Sequence, residues 1–124
     1  MLSDSPQSIR ILVLEDELLL SAEVEAAVSL AGYETVGPAI DVDGALHLIR
    51  TQKIDAAILD LIVQNVHCDE VAAELAKRGI PFAIATGLSV KKGHPALLAA
   101  PRITKPFRAK HVRDVLAGLL ASSN

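Results

Sequence analysis

A chain of 124 residues with 51% hydrophobic side chains fits one domain with a sizeable core. Aromatic side chains supply only 2%, so the core must be built from Ala, Val, Ile and Leu, which suits strands alternating with helices better than a β-sandwich. A net charge of -3 gives no electrostatic case for nucleic acid, the single Cys68 excludes an intrachain disulfide and a four-cysteine metal site, and no apolar run approaches membrane-spanning length.

The stretch 1–8 is polar, lacks the apolar core of a signal peptide and reads as a flexible leader. Residues 9–121 read as one domain and 122–124 as a tail, with no output domain, and a cytoplasmic location is the default. Ile9 to Leu14 predicts a first strand, which stops at three consecutive acids, Glu15, Asp16 and Glu17. Like charges this close repel unless a cation relieves them. The plainer explanation, that acids favour a helix N-terminus, suits Glu17 better than all three. Leu20, Val24, Ala27, Val28 and Ala31 then share one helical face, and Gly32 supplies a stop. Thr35 to Gly37 predicts a short second strand ended by Pro38. Asp41 or Asp43 can cap a second helix carrying Val42, Leu46 and Ile49.

Ile54 to Ile62 is the central stretch. Its run Ala56 to Leu59 is continuously apolar, as in a strand covered on both faces, and Asp60 follows at once. A polar loop through Val66, His67 and Cys68 leads to a third helix over about Asp69 to Arg78, ended by Gly79. Ile80 to Gly87 gives a fourth strand finishing in a hydroxyl and a glycine. Gly93 and Pro95 break the next segment, so a fourth helix should be short, from Pro95 to Ala100. Arg102 to Thr104 is a fifth strand running into Lys105, Pro106 and Phe107. A last helix spans roughly Ala109 to Ala121, with Val112, Val115, Leu116, Leu119 and Leu120 on one face.

This βαβαβαβαβα order gives a parallel sheet with helices on both faces. Ligands of such sheets bind beyond the carboxyl ends of the strands. Those ends carry Glu15 and Asp16, then Asp60, then Thr86, then Lys105. Carboxylates from separate strands make a hard-oxygen site suited to Mg²⁺, and a neighbouring lysine supplies a point charge for phosphate oxygens. Thr86 and the backbone N–H of Gly87 can donate to the same oxygens. Such parts position and neutralise a phosphoryl group, toward which a carboxylate is a competent nucleophile.

The motifs Ile-Leu-Val-Leu-Glu15-Asp16-Glu, Ala-Ile-Leu-Asp60, Ala-Thr86-Gly and Thr-Lys105-Pro106-Phe, in this order, resemble the receiver domain of response regulators of bacterial two-component systems. The stretch Gly79-Ile-Pro-Phe-Ala-Ile-Ala-Thr-Gly is similar to the stand-alone, single-domain subgroup with a Phe-Ala-Thr-Gly motif on the fourth strand, although Ile84 stands at its first position. The resemblance implies a flavodoxin-like, CheY-like (βα)5 doubly wound sheet of strand order 2-1-3-4-5. It implies Asp60 as the phosphoacceptor, served by a sensor histidine kinase or a histidine phosphotransfer protein. Mg²⁺ would be held by Asp16, Asp60 and the backbone carbonyl of Ile62, with Glu15 acting through water. Thr86 and Gly87 would bind the phosphate and Lys105 would pair with it. The Lys105–Pro106 peptide would be cis. The protein would signal through partners or act as a phosphate relay or sink, a phosphoprotein rather than an enzyme, beyond accepting phosphate from a donor and slowly releasing it.

Arg102 departs from the pattern, because most receivers place an aromatic switch residue three positions before the lysine. Ile62 and Leu88 flank the expected phosphate and would restrict water. A phosphorylation-independent interaction module is the alternative function. An aspartyl phosphatase fits poorly, since Ile62 stands where a second carboxylate is wanted, and a nucleotide-binding fold lacks its Gly-rich loop after the first strand. Seven of the twelve basic residues lie between Lys91 and Arg113 without an intervening acid. This basic 102–113 face would receive a downstream signalling protein, and the molecule is expected to be a monomer or weak dimer. His47, His67, His94 and His111 show no helical ligand spacing. They read as surface or satisfied side chains, with His67 the nearest to the Asp60 loop. Cys68 reads as a buried or idle thiol.

Overall fold

A computed structural model describes residues 8–86 and 92–122, without the side chain of Ser122. The elements in chain order are β1 (Arg10–Leu14), α1 (Leu18–Leu30), β2 (Glu34–Ala39), α2 (Val42–Thr51), β3 (Ala56–Asp60), β4 (Ile62–Val63), β5 (Val66–His67), α3 (Asp69–Lys77), β6 (Phe82–Thr86), α4 (Pro95–Ala99), β7 (Arg102–Thr104) and α5 (Ala109–Ser122). Five strands form one parallel sheet in the order β2-β1-β3-β6-β7. Leaving aside the β4–β5 hairpin, that is the expected 2-1-3-4-5 order.

Alternation along each strand divides the core into two layers. Leu12, Leu14, Ala57, Leu59 and Ile84 pack on one face against Leu46 and Ile49 of α2, Leu75 of α3 and Leu97 of α4. Ile11, Val13, Ile58, Ala83, Ala85 and Ile103 pack on the other against Val24 and Val28 of α1 and Leu116 of α5. Small side chains on β3 and β6, namely Ala56, Ala57, Ala83 and Ala85, are buried between the layers. Asp41 caps α2, its carboxylate accepting from the Gly44 N–H at 2.7 Å. Among the described residues, no helix is long and apolar enough to cross a membrane.

Two expectations are corrected. Pro38 does not end the second strand: β2 runs through it to Ala39. β2 lies at the sheet edge, where a residue without an N–H is tolerated. Leu12 pairs with Val36 but Leu14 with Ala39, so β2 carries one extra residue, a bulge. Gly37 takes the strain of it with φ +103°. The result is a hydrogen bond from the Glu15 N–H to the Ala39 carbonyl at 2.9 Å, which fixes the end of β1.

The segment after Asp60 is not a plain polar loop either. Ile62 and Val63 pair antiparallel with His67 and Val66 in a short hairpin. Its two turn residues, Gln64 (φ 51°) and Asn65 (φ 61°), are both left-handed, as a type I′ turn requires. Burial of Leu61, Val63 and Cys68 holds the hairpin to the core. With only two residues per strand and no Gly in the turn, it leaves almost no periodic signal.

Two predictions follow from these packing facts. A Cβ on Gly37 would lie 2.6 Å from the Ala39 nitrogen, whereas one on Gly118 in α5 would meet nothing within 4 Å. Gly37→Ala should therefore cost more than about 1 kcal/mol, and Gly118→Ala should gain about 0.5–1 kcal/mol by favouring the helix. Urea unfolding measures both, and an unchanged midpoint for Gly37→Ala would refute the bulge geometry. Burial, then the charge of Asp69, pushes the fully buried Cys68 thiol up to about 12. A thiol reagent at pH 8 should label Cys68 only as fast as the protein opens, and at once in denaturant. Rapid labelling of the folded protein would contradict the packing described.

Candidate functional site: an acidic cluster bridged by a lysine

The register of the sheet assembles the site. Leu14 pairs with Leu59, so the residues that follow, Glu15 and Asp60, emerge side by side. Asp60 pairs with Ala85, one residue before Thr86. Thr86 pairs with Thr104, one residue before Lys105. Side chains up to 90 positions apart in sequence meet at one edge because the parallel register fixes where each strand ends.

Carboxylate oxygens of Glu15, Asp16 and Asp60 lie within 4.8 Å of one another. The Lys105 ammonium reaches two of them, at 3.3 Å from Glu15 Oε1 and 3.5 Å from Asp60 Oδ2. Glu15 is buried and also accepts from the Glu17 N–H at 3.2 Å. Burial pushes its carboxyl above the usual carboxylate range and the charge of Asp60 adds to this, while the Glu17 N–H and Lys105 pull it back. Asp16 Oδ2 accepts from the backbone N–H of Gln64 at 3.0 Å, so the hairpin turn orients this carboxylate.

The remaining expected residues are placed as follows. Thr86 is buried at the end of β6, and its carbonyl accepts from the Lys105 N–H at 3.4 Å. The Lys105–Pro106 peptide is cis. Lys105 Nζ stands 5.9 Å from the centroid of the Phe107 ring, within cation–π range. Ile62 opens β4 with its residue 45% exposed. Arg102 starts β7, pairs with Ile84, and donates from Nη1 to the Ala100 carbonyl at 3.1 Å. Gly87 and Leu88 lie outside the described residues. His67 faces Asp69, its Nδ1 at 4.0 Å from Asp69 Oδ1, in a group separate from the three acids.

Sequence reasoning missed two contributors. The Gln64 N–H has no side-chain signature, because any residue supplies it once the turn forms. The Phe107 ring beside Lys105 was visible only as part of a motif. An open apolar cavity of about 360 Å³ between Ile80, Phe82, Ala99 and Pro101 belongs to the opposite edge of the sheet and is lined by no titratable group.

Three carboxylates against one ammonium leave a formal excess of two negative charges, the complement of one divalent cation. An all-oxygen donor set of this kind suits a hard cation such as Mg²⁺. Glu15, Asp16 and Asp60 are the residues able to hold it.

No family model matches the chain. The solution structure of SdrG from Sphingomonas melonis Fr1 is 36% identical, covers 91% of this chain and 97% of its own, and superposes with a TM-score of 0.79. The BeF3-activated conformation of SdrG, from Pseudomonas melonis Fr1, is 37% identical over 90% of this chain and 95% of its own, with a TM-score of 0.74. A CheY-like response regulator receiver domain protein from Methanospirillum hungatei shares the fold, with a TM-score of 0.82 at 19% identity over 94% of this chain and 97% of its own. Among curated proteins, the transcriptional regulatory protein PdtaR of Mycobacterium tuberculosis is 33% identical over 81 residues, 64% of this chain. That match spans only 40% of PdtaR, and the chain accounts for less than two thirds of the curated relatives it matches. With the strand order, the convergent edge residues and the near full-length match to SdrG together, the chain belongs to the response regulator receiver family of two-component systems.

Proposed function

We propose that Asp60 accepts a phosphoryl group, in the presence of Mg²⁺, from a histidine kinase or a histidine phosphotransfer protein. The observation that carries this is Lys105 bridging Glu15 and Asp60 within a three-carboxylate cluster. A lysine that only stabilised the fold would need one partner. Here it leaves an uncompensated acidic cluster, in which a nucleophile and a cation site adjoin. The BeF3-activated form of SdrG supports the reading, because beryllium trifluoride bound to a carboxylate oxygen is tetrahedral and mimics a phosphoryl group.

An Asp60 carboxylate oxygen attacks the phosphorus of the donor. The new O–P bond forms as the donor's P–N bond breaks, and the electron pair of that bond returns to the imidazole nitrogen. Lys105 offsets the charge gathering on the phosphoryl oxygens and holds Asp60 in place by electrostatics. The Thr86 hydroxyl is the donor for a phosphate oxygen, and the Gln64 N–H keeps Asp16 turned toward the cluster. Asp16 and Asp60, with the Ile62 carbonyl and with Glu15 through water, are the groups to hold Mg²⁺, which when bound would neutralise charge on the transferring group. The protein then signals by binding partners or passes the phosphate on. The phosphoryl group carries roughly -1.5 to -2 of charge but replaces the single negative charge of the Asp60 carboxylate, so the net gain is only about -0.5 to -1.

Two experiments test this. Intact-protein mass after incubation with Mg²⁺ and acetyl phosphate should show one phosphate adduct, absent without Mg²⁺ and absent in Asp60→Ala. An adduct that survives Asp60→Ala would refute the assignment. Ile62 is exposed enough to be replaced without unfolding the chain. Ile62→Asn should shorten the adduct's half-life by admitting and orienting water, and an unchanged half-life would remove Ile62 from that role.

A further inference from the structure

We propose that the groove between α1 and α5 binds a second copy of this chain across a twofold axis. Two adjoining open cavities, of about 430 Å³ and 310 Å³, share Ala27, Leu30 and Ala109 and so form one groove. Its floor is made of small residues, Ala26, Ala27, Ala31 and Ala109. Leu30 stands up from its wall, 80% exposed, a large apolar side chain left in water.

The charges at the two ends decide the occupant. At one end Glu23 of α1 lies level with Pro106 and Phe107. At the other, Ala31 lies level with Lys110 and Arg113 of α5. The groove is thus acidic at one end, basic at the other and apolar between. A surface of that pattern is complementary to itself when rotated by a twofold axis through its middle. Glu23 of each copy then faces Lys110 and Arg113 of the other, and each Leu30 meets the Ala-lined floor opposite. Among the described residues, Arg113 has one competing ion pair, with its neighbour Asp114 at 3.4 Å, half-exposed and therefore weak. The groove lies on the helix layer of α1 and α5, its acidic end reaching Pro106 and Phe107 beside Lys105, and the proposal does not depend on phosphorylation.

Sedimentation velocity from micromolar to millimolar protein tests it. The wild type should show a monomer–dimer equilibrium that weakens with added salt. Leu30→Glu should weaken the dimer by on the order of tenfold or more, because it places a charge on the apolar part of the interface. Glu23→Lys alone, and Lys110→Glu with Arg113→Glu in a second protein, should each be monomeric. Mixing those two proteins should restore a 1:1 dimer, since both twofold-related contacts then join opposite charges. All these positions are exposed or at the surface, and circular dichroism identical to wild type confirms the fold. A wild type that stays monomeric at millimolar concentration would overturn the proposal and leave the groove to another protein. A dimer indifferent to Leu30→Glu, or a mixture that stays monomeric while the wild type dimerises, would overturn it equally.

Discussion

Repulsion among three carboxylates is the constraint on which this structure turns. Two unit charges about 4 Å apart interact by roughly 4 kcal/mol at an effective dielectric of about 20. Glu15, Asp16 and Asp60 have oxygens within 4.8 Å of one another, so their mutual repulsion is comparable with a large part of a small domain's stability. Lys105 offsets part of it by touching two of the three. Glu15 relieves another part, since its burial favours the protonated form. What remains is a site whose energy falls when positive charge arrives. A fold that holds such a cluster must supply the restraint from elsewhere.

That restraint comes from the sheet. β3 is buried on both faces, and its neighbours on either side run parallel to it. Asp60 sits at the end of the strand with the least freedom to move. Two irregular features then finish the placement. The bulge in β2 ties the Glu15 N–H to Ala39, and the β4–β5 hairpin lends a backbone N–H to Asp16. Each acid is thus fixed by a different device: Glu15 by the edge strand, Asp16 by the hairpin turn, Asp60 by the central strand. Regular elements bring the charges near one another, and irregular ones aim them.

This division explains what could be read from the amino acids. The five parallel strands and the helices between them were legible because apolar runs, helical spacing and glycine stops repeat over many residues, whereas the order of the strands followed from the resemblance to receiver domains. The convergence of Glu15, Asp16, Asp60, Thr86 and Lys105 was legible because all five stand at strand ends, and parallel strands share one carboxyl edge. The bulge was not legible, since Pro38 reads as a terminator unless the strand is known to lie at the edge. The hairpin was hidden because two paired residues on each side carry no periodicity and Gln64-Asn65 lacks the usual glycine. Lys105 could be placed near the acids, but its contact with Glu15 as well as Asp60 depends on a side-chain path that strand order does not determine.

Arg102 stands where most receiver domains carry an aromatic side chain, and its surroundings differ from those an aromatic would need. Residues 102 and 104 share one face of β7, and Ile103 between them packs into the layer with α5. Arg102 pairs with Ile84 and Thr104 with Thr86, so the arginine lies one step back along the same face as the threonine. An aromatic ring there would move between a buried and an exposed position at the cost of apolar contact alone. A guanidinium keeps its charge and needs acceptors wherever it goes. Its bond to the carbonyl of Ala100, the C-cap residue of α4, joins the start of β7 to the end of that helix. Arg102 is thus held to α4 by a hydrogen-bonded arm rather than by a packing pocket, and any movement of it must exchange one acceptor for another.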